Sequence, residues 1–508
     1  MAGETRGRAR YTFGPLEQRG IVGSLRSTQT AILGVALVVI VFVLAARRDA
    51  GGMLIAIMIG SAALVIVFFR VRGRALEAWV PVIARFLARS LAGRLEYRSA
   101  APVAGLLLRR TGVVEAAVSL PEELGDVELV AAPVDPAGAA VIGVVKDRRA
   151  HTYTATLGVR VRNFALLSDG EQERRLAAYG TLLAGLARDD SVIRRVGWVE
   201  RTVPNDGDDV TAYLQQARDP TLALDSGPVA SYIELIESAA DVTQDHELFV
   251  SLQLDGWRAR AQARKLGPGD DGMLRLIVRE LDLFARRVEG ASVQVLGALP
   301  PRMLAKAIRD GYDPFERSAR ARAGALDPAR NGTPSALAGP QARHAMWSTL
   351  ATDSAVHATY WISEWPRIDV GAVFLQPLLM QTTAVRTVAM VMDAIAPSRA
   401  ITEIEQARTT DIADETTRQR LGQVTTARQT QKAEATARRE QELADGHAEL
   451  RYAAYVTVSA RAGDPEALDR ACAEVEHAAQ QSRLRLERLY GEQDYAFTFG
   501  LPLCRGLS

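Results

Sequence analysis

Two uncharged apolar runs, Ser27 to Ala46 and Ala50 to Phe69, are each twenty residues long and are separated only by Arg47, Arg48 and Asp49. A helical residue advances about 1.5 Å, so each run reaches about 30 Å, the thickness of a bilayer's hydrocarbon core. Neither run carries the polar stripe of a helix lying half in water, and core helices of soluble proteins seldom continue so far without a charge. A cleaved leader fits poorly as well, because the polar stretch ahead of the first run is long and a second full-length run follows at once. The pattern predicts a transmembrane helical hairpin over 27–69.

A three-residue connection makes the two helices antiparallel, which brings both flanking segments to one side. Arg6, Arg8, Arg10, Arg19 and Arg26 precede the hairpin and Arg70, Arg72, Arg74, Arg85 and Arg89 follow it, with only Arg47 and Arg48 between. The bias of basic residues toward the cytoplasm therefore predicts a two-pass protein of the inner (cytoplasmic) membrane with both termini in the cytoplasm. Net charge hides the same asymmetry: the total is +1, yet residues 1–94 hold 13 Arg against 4 acids and the remainder holds 48 basic against 56 acidic residues. A basic collar suits an anionic lipid surface, while a body of net negative charge is poorly suited to wrapping nucleic acid, so direct nucleic-acid binding is not indicated. Two cysteines, Cys472 and Cys504, are too few for a disulfide framework and fit a reducing compartment.

Around the hairpin, residues 1–26 read as a cytoplasmic or interfacial segment. Residues 70–98 read as a juxtamembrane amphipathic helix, in which Trp79, Val82, Ile83, Phe86 and Leu87 recur at helical spacing and face either lipid or the body. The first alpha/beta region, 99–323, alternates strands and helices. Strands are expected at Val127–Val134, Ala139–Lys146, Thr152–Val161, Val192–Val203, Glu247–Leu254 and Ala291–Leu296. Helices are expected after the capping pair Ser168 and Glu171, at Val229–Ala240, at Met273–Val288 and after Pro300 and Pro301. Residues 324–341, rich in Pro and Gly, form the expected linker. The second alpha/beta region, 342–508, contains expected strands Ala358–Glu364, Val385–Ile395, Tyr452–Ser459 and Tyr495–Phe499 and an expected helix Pro465–Arg488. It also carries a long charged helical arm, 400–445, with few apolar positions, which reads either as a solvated arm, in one helix or in two broken near Gly422, or as a partner-binding surface. The fold class expected is α+β: a transmembrane hairpin, then a large mixed alpha/beta cytoplasmic body.

Chemistry leaves few traces. A phosphate-binding P-loop needs a lysine directly after glycine, and the four lysines (Lys146, Lys265, Lys306, Lys432) follow Val145, Arg264, Ala305 and Gln431. Gly267, Gly269 and Gly272 with Asp270 and Asp271 lack the spacing of a phosphate or calcium loop and read as a turn between helices. His344, Asp353, His357 and Glu364 cluster in sequence, but an odd separation puts His357 and Glu364 on opposite faces of a strand, which argues against a zinc or acid–base pair. Asp245, His246 and Glu247 read as solvated at a strand start, and Cys504, although beside Arg505, is not expected to be a reactive thiol. No catalytic, cofactor-binding or metal-binding residue is assigned, and the chain is not expected to be an enzyme.

Several segments together resemble an actinobacterial membrane-protein family: a two-helix inner-membrane subunit of type IV secretion machines fused to the N-terminal, non-catalytic domain of their assembly ATPase. The likeness rests on YTFGPLEQRG at Tyr11–Gly20, GYDPF at Gly311–Phe315, HATYWISEWPR at His357–Arg367, RREQELADGH at Arg438–His447 and FGLPLCRGL at Phe499–Leu507. In the secretion ATPases a comparable Leu-Pro element leads into the nucleotide-binding domain, whereas this sequence stops at Ser508. The resemblance implies a structural component of a secretion or conjugation apparatus. Its implied partners are a separate P-loop ATPase and other inner-membrane channel subunits; the apolar runs and basic collar add membrane lipid, and association with further copies of the chain stays open. Two other classes stay open: a membrane-bound regulator acting through the 400–445 arm, and an enzyme with an unrecognised site.

Overall fold

The computed structural model describes residues 27–99, 120–204, 244–317, 332–420 and 437–507 apart from single or paired positions, together with a few residues between 227 and 234. The expected 1–26 segment, most of helix 229–240, the first part of the 324–341 linker and the middle of the arm lie outside them.

Helices Ser27–Ala46 and Ala50–Phe68 are long and apolar enough to cross a membrane. Asp49 caps the second by accepting from the Gly52 amide at 2.9 Å. That helix turns Gly52, Ala56, Ala63 and Val67 inward, a row of small residues that lets two backbones approach closely, while Val38, Val41, Phe42, Leu54 and Met58 point outward. Two short antiparallel strands, β1 (Arg70–Val71) and β2 (Arg74–Ala75), then lead into helix Leu76–Leu91.

The body is built on one antiparallel sheet of 13 strands among the described residues. In chain order these are β3 (Glu96–Arg98), β4 (Val127–Pro133), β5 (Val141–Asp147), β6 (Thr152–Arg160), β7 (Ile193–Pro204), β8 (Gln244–Asp255), β9 (Gln294–Ala298), β10 (Ala342–Ala345), β11 (Leu350–Ala351), β12 (Ala355–Glu364), β13 (Val385–Ile395), β14 (Glu449–Arg461) and β15 (Arg485–Arg488). Their connectivity repeats. In the first unit β6, helix Asp169–Ala184 and β7 are followed by β8, helices Gly256–Leu266 and Gly269–Gly290, and β9, with spatial order β7-β8-β6-β9. In the second, β12, helix Gln376–Met380 and β13 are followed by β14, helix Ala467–Gln481 and β15, in the order β13-β14-β12-β15. Both are βαββαβ units of the split, ferredoxin-like kind. A strand pair precedes each, β4–β5 or β10–β11, and a helix follows each, Pro301–Tyr312 or Gln493–Phe497. The units join through β7 and β13, paired antiparallel from Arg195↔Asp393 to Thr202↔Arg386, so one sheet runs through both expected regions.

Two layers cover this sheet. On one face the helices bury two apolar cores, one around Leu252, Leu276, Ile277 and Phe284 and one around Tyr360, Val456, Val475 and Leu468. On the other lie helix Pro301–Tyr312 and the C-terminal stretch, with Leu304, Ile308, Tyr312, Phe497, Leu501 and Leu503 in a third core. Double coverage explains why eight of the nine residues of β6 are buried where alternation of polar and apolar residues suggests one wet face. Its polar residues are satisfied inside, as in the Thr156–Ser251 hydroxyl pair at 2.9 Å.

Three expected elements differ. The helix expected over 70–98 is Leu76–Leu91, because β1 and β2 pair with each other before it and β3 pairs with β10 after it. The helix expected at Pro465–Arg488 is Ala467–Gln481; Arg483 turns the chain with φ +57°, and Arg485–Arg488 pairs with β12. The strand expected at Tyr495–Phe499 is instead a short helix, Gln493–Phe497. This segment crosses the sheet's face, where no strand neighbour is in reach, and its amides bond locally, Ala496 to the Glu492 carbonyl at 2.8 Å.

Candidate functional site

Helix Leu76–Leu91 is where the apolar hairpin meets the body. Its start is bonded to the second apolar helix, Leu76 N–H donating to the Phe69 carbonyl at 3.1 Å. Along one side, Trp79 stacks on Trp347 with centroids 6.0 Å apart, Phe86 meets Trp347 edge-on at 5.1 Å, and Tyr490 lies 6.0 Å from Trp79. Such ring pairs add about 0.5–1.5 kcal/mol each to the area they bury. Trp79 is 7% exposed and Val82 5%. Gly491, at φ +74°, is required here: a Cβ would lie 2.7 Å from the Trp347 ring and 2.9 Å from Val82.

One turn further, charges replace rings. Arg89 pairs with Asp494 and with Glu122, the latter at 3.4 Å, and its guanidinium lies 5.0 Å from the Tyr495 ring. Asp494 also faces Arg343 at 3.6 Å, and Arg343 grips Glu123 with two bonds of 3.0 and 2.8 Å while donating to the Arg94 and Leu95 carbonyls. Arg343, Glu123 and Asp494 are all nearly inaccessible to solvent. Burial pushes the Glu123 carboxyl above its usual range, against the pull of Arg343. For Arg89, burial works against the cation, but the bond and charge of Asp494 outweigh it and raise its pKa. A buried pair of this kind costs about 3–5 kcal/mol to break by removing one partner.

The C-terminal stretch ties into the same network. Arg505 donates to the Glu123 carbonyl and to Asp147, both at 2.6 Å, and Gln253 reaches the Leu503 carbonyl at 3.3 Å. Arg195 bonds the Leu507 carbonyl and Tyr455 the Gly506 carbonyl, so the stretch crosses strands of both units.

No known family model and no curated protein matches the chain. The junction is therefore read from its own geometry. It contains no nucleophile paired with a base, and among the described residues no three His, Cys, Asp or Glu side chains converge to hold a metal ion. What the arrangement can do is mechanical: it fixes a large sheet to a helix that leads directly from the apolar hairpin.

The residues singled out in the sequence are dispersed. His344 is exposed on β10, Asp353 accepts from the Gln341 and Ala342 amides, and Glu364 pairs with Arg367 and Arg485. His357 is fully buried, bonded to Ser459 at 2.8 Å and Thr352 at 2.9 Å and packed 4.7 Å from Phe497. Burial lowers its pKa to about 4. Asp245 and Glu247 are not merely solvated: both bind Arg317, Glu247 also meets Arg201, and His246 bonds Glu200 at 2.6 Å. Burial drives the Cys504 thiol up to about 12, which leaves it unreactive at neutral pH. The glycine cluster joins two helices, and a Cβ at Gly272 would sit 2.3 Å from the Ala263 carbonyl oxygen. In the arm, Arg408 meets Glu440 at 3.1 Å.

Glu123, Arg343 and Asp494 carry the junction and escaped sequence reasoning. A charged residue bound for the interior looks like any surface charge until its partners, hundreds of positions away, are known. Asp494 between Gln493 and the apolar run Tyr495–Phe499 is the one local signal.

Proposed function

We propose that this chain is a non-catalytic inner-membrane component of a type IV secretion-like or conjugative transfer apparatus, which holds a separate P-loop ATPase at the cytoplasmic face. The observation that carries the reading is the junction itself. A body fastened to the helix leaving an apolar hairpin, by stacked rings and a buried ion-pair network, is suited to holding a partner at a fixed place. The resemblance of the segments from Tyr11–Gly20 to Phe499–Leu507 supports this reading of the family, and the absence of any Gly-Lys pair supports a motor on another chain. The arginine asymmetry supports a cytoplasmic position for the body. Tethering gives the partner a high local concentration at the channel without requiring a tight contact.

The test is recruitment. An ATPase with a Walker A motif and no apolar span, encoded beside this chain and co-expressed with it, should sediment with membranes only when the chain is present. The reading is overturned if the ATPase reaches the membrane without it, or if the purified chain hydrolyses nucleoside triphosphate by itself.

A further inference from the structure

Helix Leu76–Leu91 is apolar on two sides, and the body covers one. At about 100° per residue, Trp79, Val82, Phe86 and Arg89 share an arc that faces Trp347, Tyr490 and Asp494. A second arc, centred about 120° away, holds Val80, Ile83, Leu87 and Leu91, which are 60%, 42%, 54% and 90% exposed. Four large aliphatic side chains in one stripe are more than scattered surface apolarity accounts for.

The place of this stripe identifies what covers it. The helix begins eight residues after Phe68, hydrogen-bonded to Phe69, and both phenylalanines are themselves exposed. The stripe thus starts within about one helical turn of the end of a segment fit to cross a bilayer. Cations lie nearby: Arg74 beside Glu487 and over the Trp79 ring, Arg85 beside Glu492, and Arg94 beside Glu122. Apolar side chains at the acyl boundary with arginines at headgroup level are what an interfacial helix presents.

We infer that helix Leu76–Leu91 lies in the lipid interface on its Val80–Ile83–Leu87–Leu91 side while its Trp79–Val82–Phe86 side grips the body. The lipid surface then sets the tilt of the sheet as well as its location. The inference rests on the membrane reading of the hairpin and is independent of any ATPase.

It is tested on the full chain in vesicles of phosphatidylcholine and phosphatidylglycerol, with an environment-sensitive fluorophore on Leu87→Cys or, in a second protein, Phe42→Cys; Cys472 and Cys504 are buried. Both substituted side chains are exposed, so neither change disturbs the core. The probe at 87 should emit to the blue of its position in water and lose most of its emission to lipid spin-labelled near the headgroup. The probe at 42 should be quenched by lipid labelled deep in the acyl chain. Quenching at 42 with an aqueous, unquenched probe at 87 overturns the inference alone. So does a cross-link from Leu87→Cys to a second copy or to another protein with no lipid quenching. An unquenched probe at 42 overturns the membrane reading together with it.

Discussion

Trp198 and Met390 stand opposite each other in the ladder that joins the two βαββαβ units, and each packs against the helix-side cores of both. This contact adds side-chain packing to main-chain bonds at the one place where β7 meets β13. Trp198→Ala should cost about 3 kcal/mol, as for truncation of a large aromatic in a core. Unfolding followed in detergent should show the lower midpoint, with the two units melting less cooperatively.

Behind the ladder, Gly197 makes room for Cys504: a Cβ there would lie 3.0 Å from the Cys504 sulfur. Gly197→Val should lift the C-terminal stretch off the sheet. With its pKa pushed up to about 12 by burial, Cys504 should react with a thiol reagent at pH 8 only slowly in the parent protein and many times faster in the variant.

His357 makes stability depend on acid. Its pKa in the fold, about 4, lies below the unfolded value of about 6.5. Between those values the unfolded chain binds the extra proton, so stability falls as pH drops through this window and the loss levels off below pH 4. The full effect is about 3 kcal/mol. Denaturation midpoints measured from pH 7 to pH 4 should decline, and His357→Gln should flatten that decline.

At the junction, Arg343→Met leaves the Glu123 carboxylate buried without its partner and should destabilise the protein by about 3–5 kcal/mol. Arg343→Met with Glu123→Leu should recover most of that loss, since an apolar pair of similar volume needs no desolvation. A double-mutant cycle on thermal midpoints measures the coupling.

Gly491→Ala should act on docking rather than on the core, because its Cβ would meet Trp347 and Val82. Limited proteolysis should then open the turn at residues 92–95, which follows the released helix.

Much of this architecture can be read along the chain because its cause is local. Val385–Ile395 has the strand bounds expected of it, and the apolar runs at 27–46 and 50–68 are helices, since their composition alone decides the outcome. The duplication of the βαββαβ unit cannot be read that way. It lies in which strands pair, and β7 meets β13 through residues at least 184 positions apart (386 − 202) with no shared motif. Tyr495–Phe499 shows the opposite failure: its alternation imitates a strand, and only the lack of a neighbouring strand makes it a helix. The junction was half visible. Trp79, Val82 and Phe86 show as an apolar stripe, but the division between the side that meets Trp347 and the side that points away depends on a surface assembled from residues more than 250 positions later.

The continuous ladder from β3 to β4 has a mechanical consequence. Because β7 and β13 are hydrogen-bonded from Arg195↔Asp393 to Thr202↔Arg386, the two units share one sheet, and the eleven strands of the main path extend about 48 Å across. Helix Leu76–Leu91 grips this plate near one margin, through Trp347 and the β15 side, while β4 forms the other. The far margin lies ten strand spacings from the gripped one, so a rotation of the plate about its grip sweeps that margin through the longest arc, as an oar pivots in its lock.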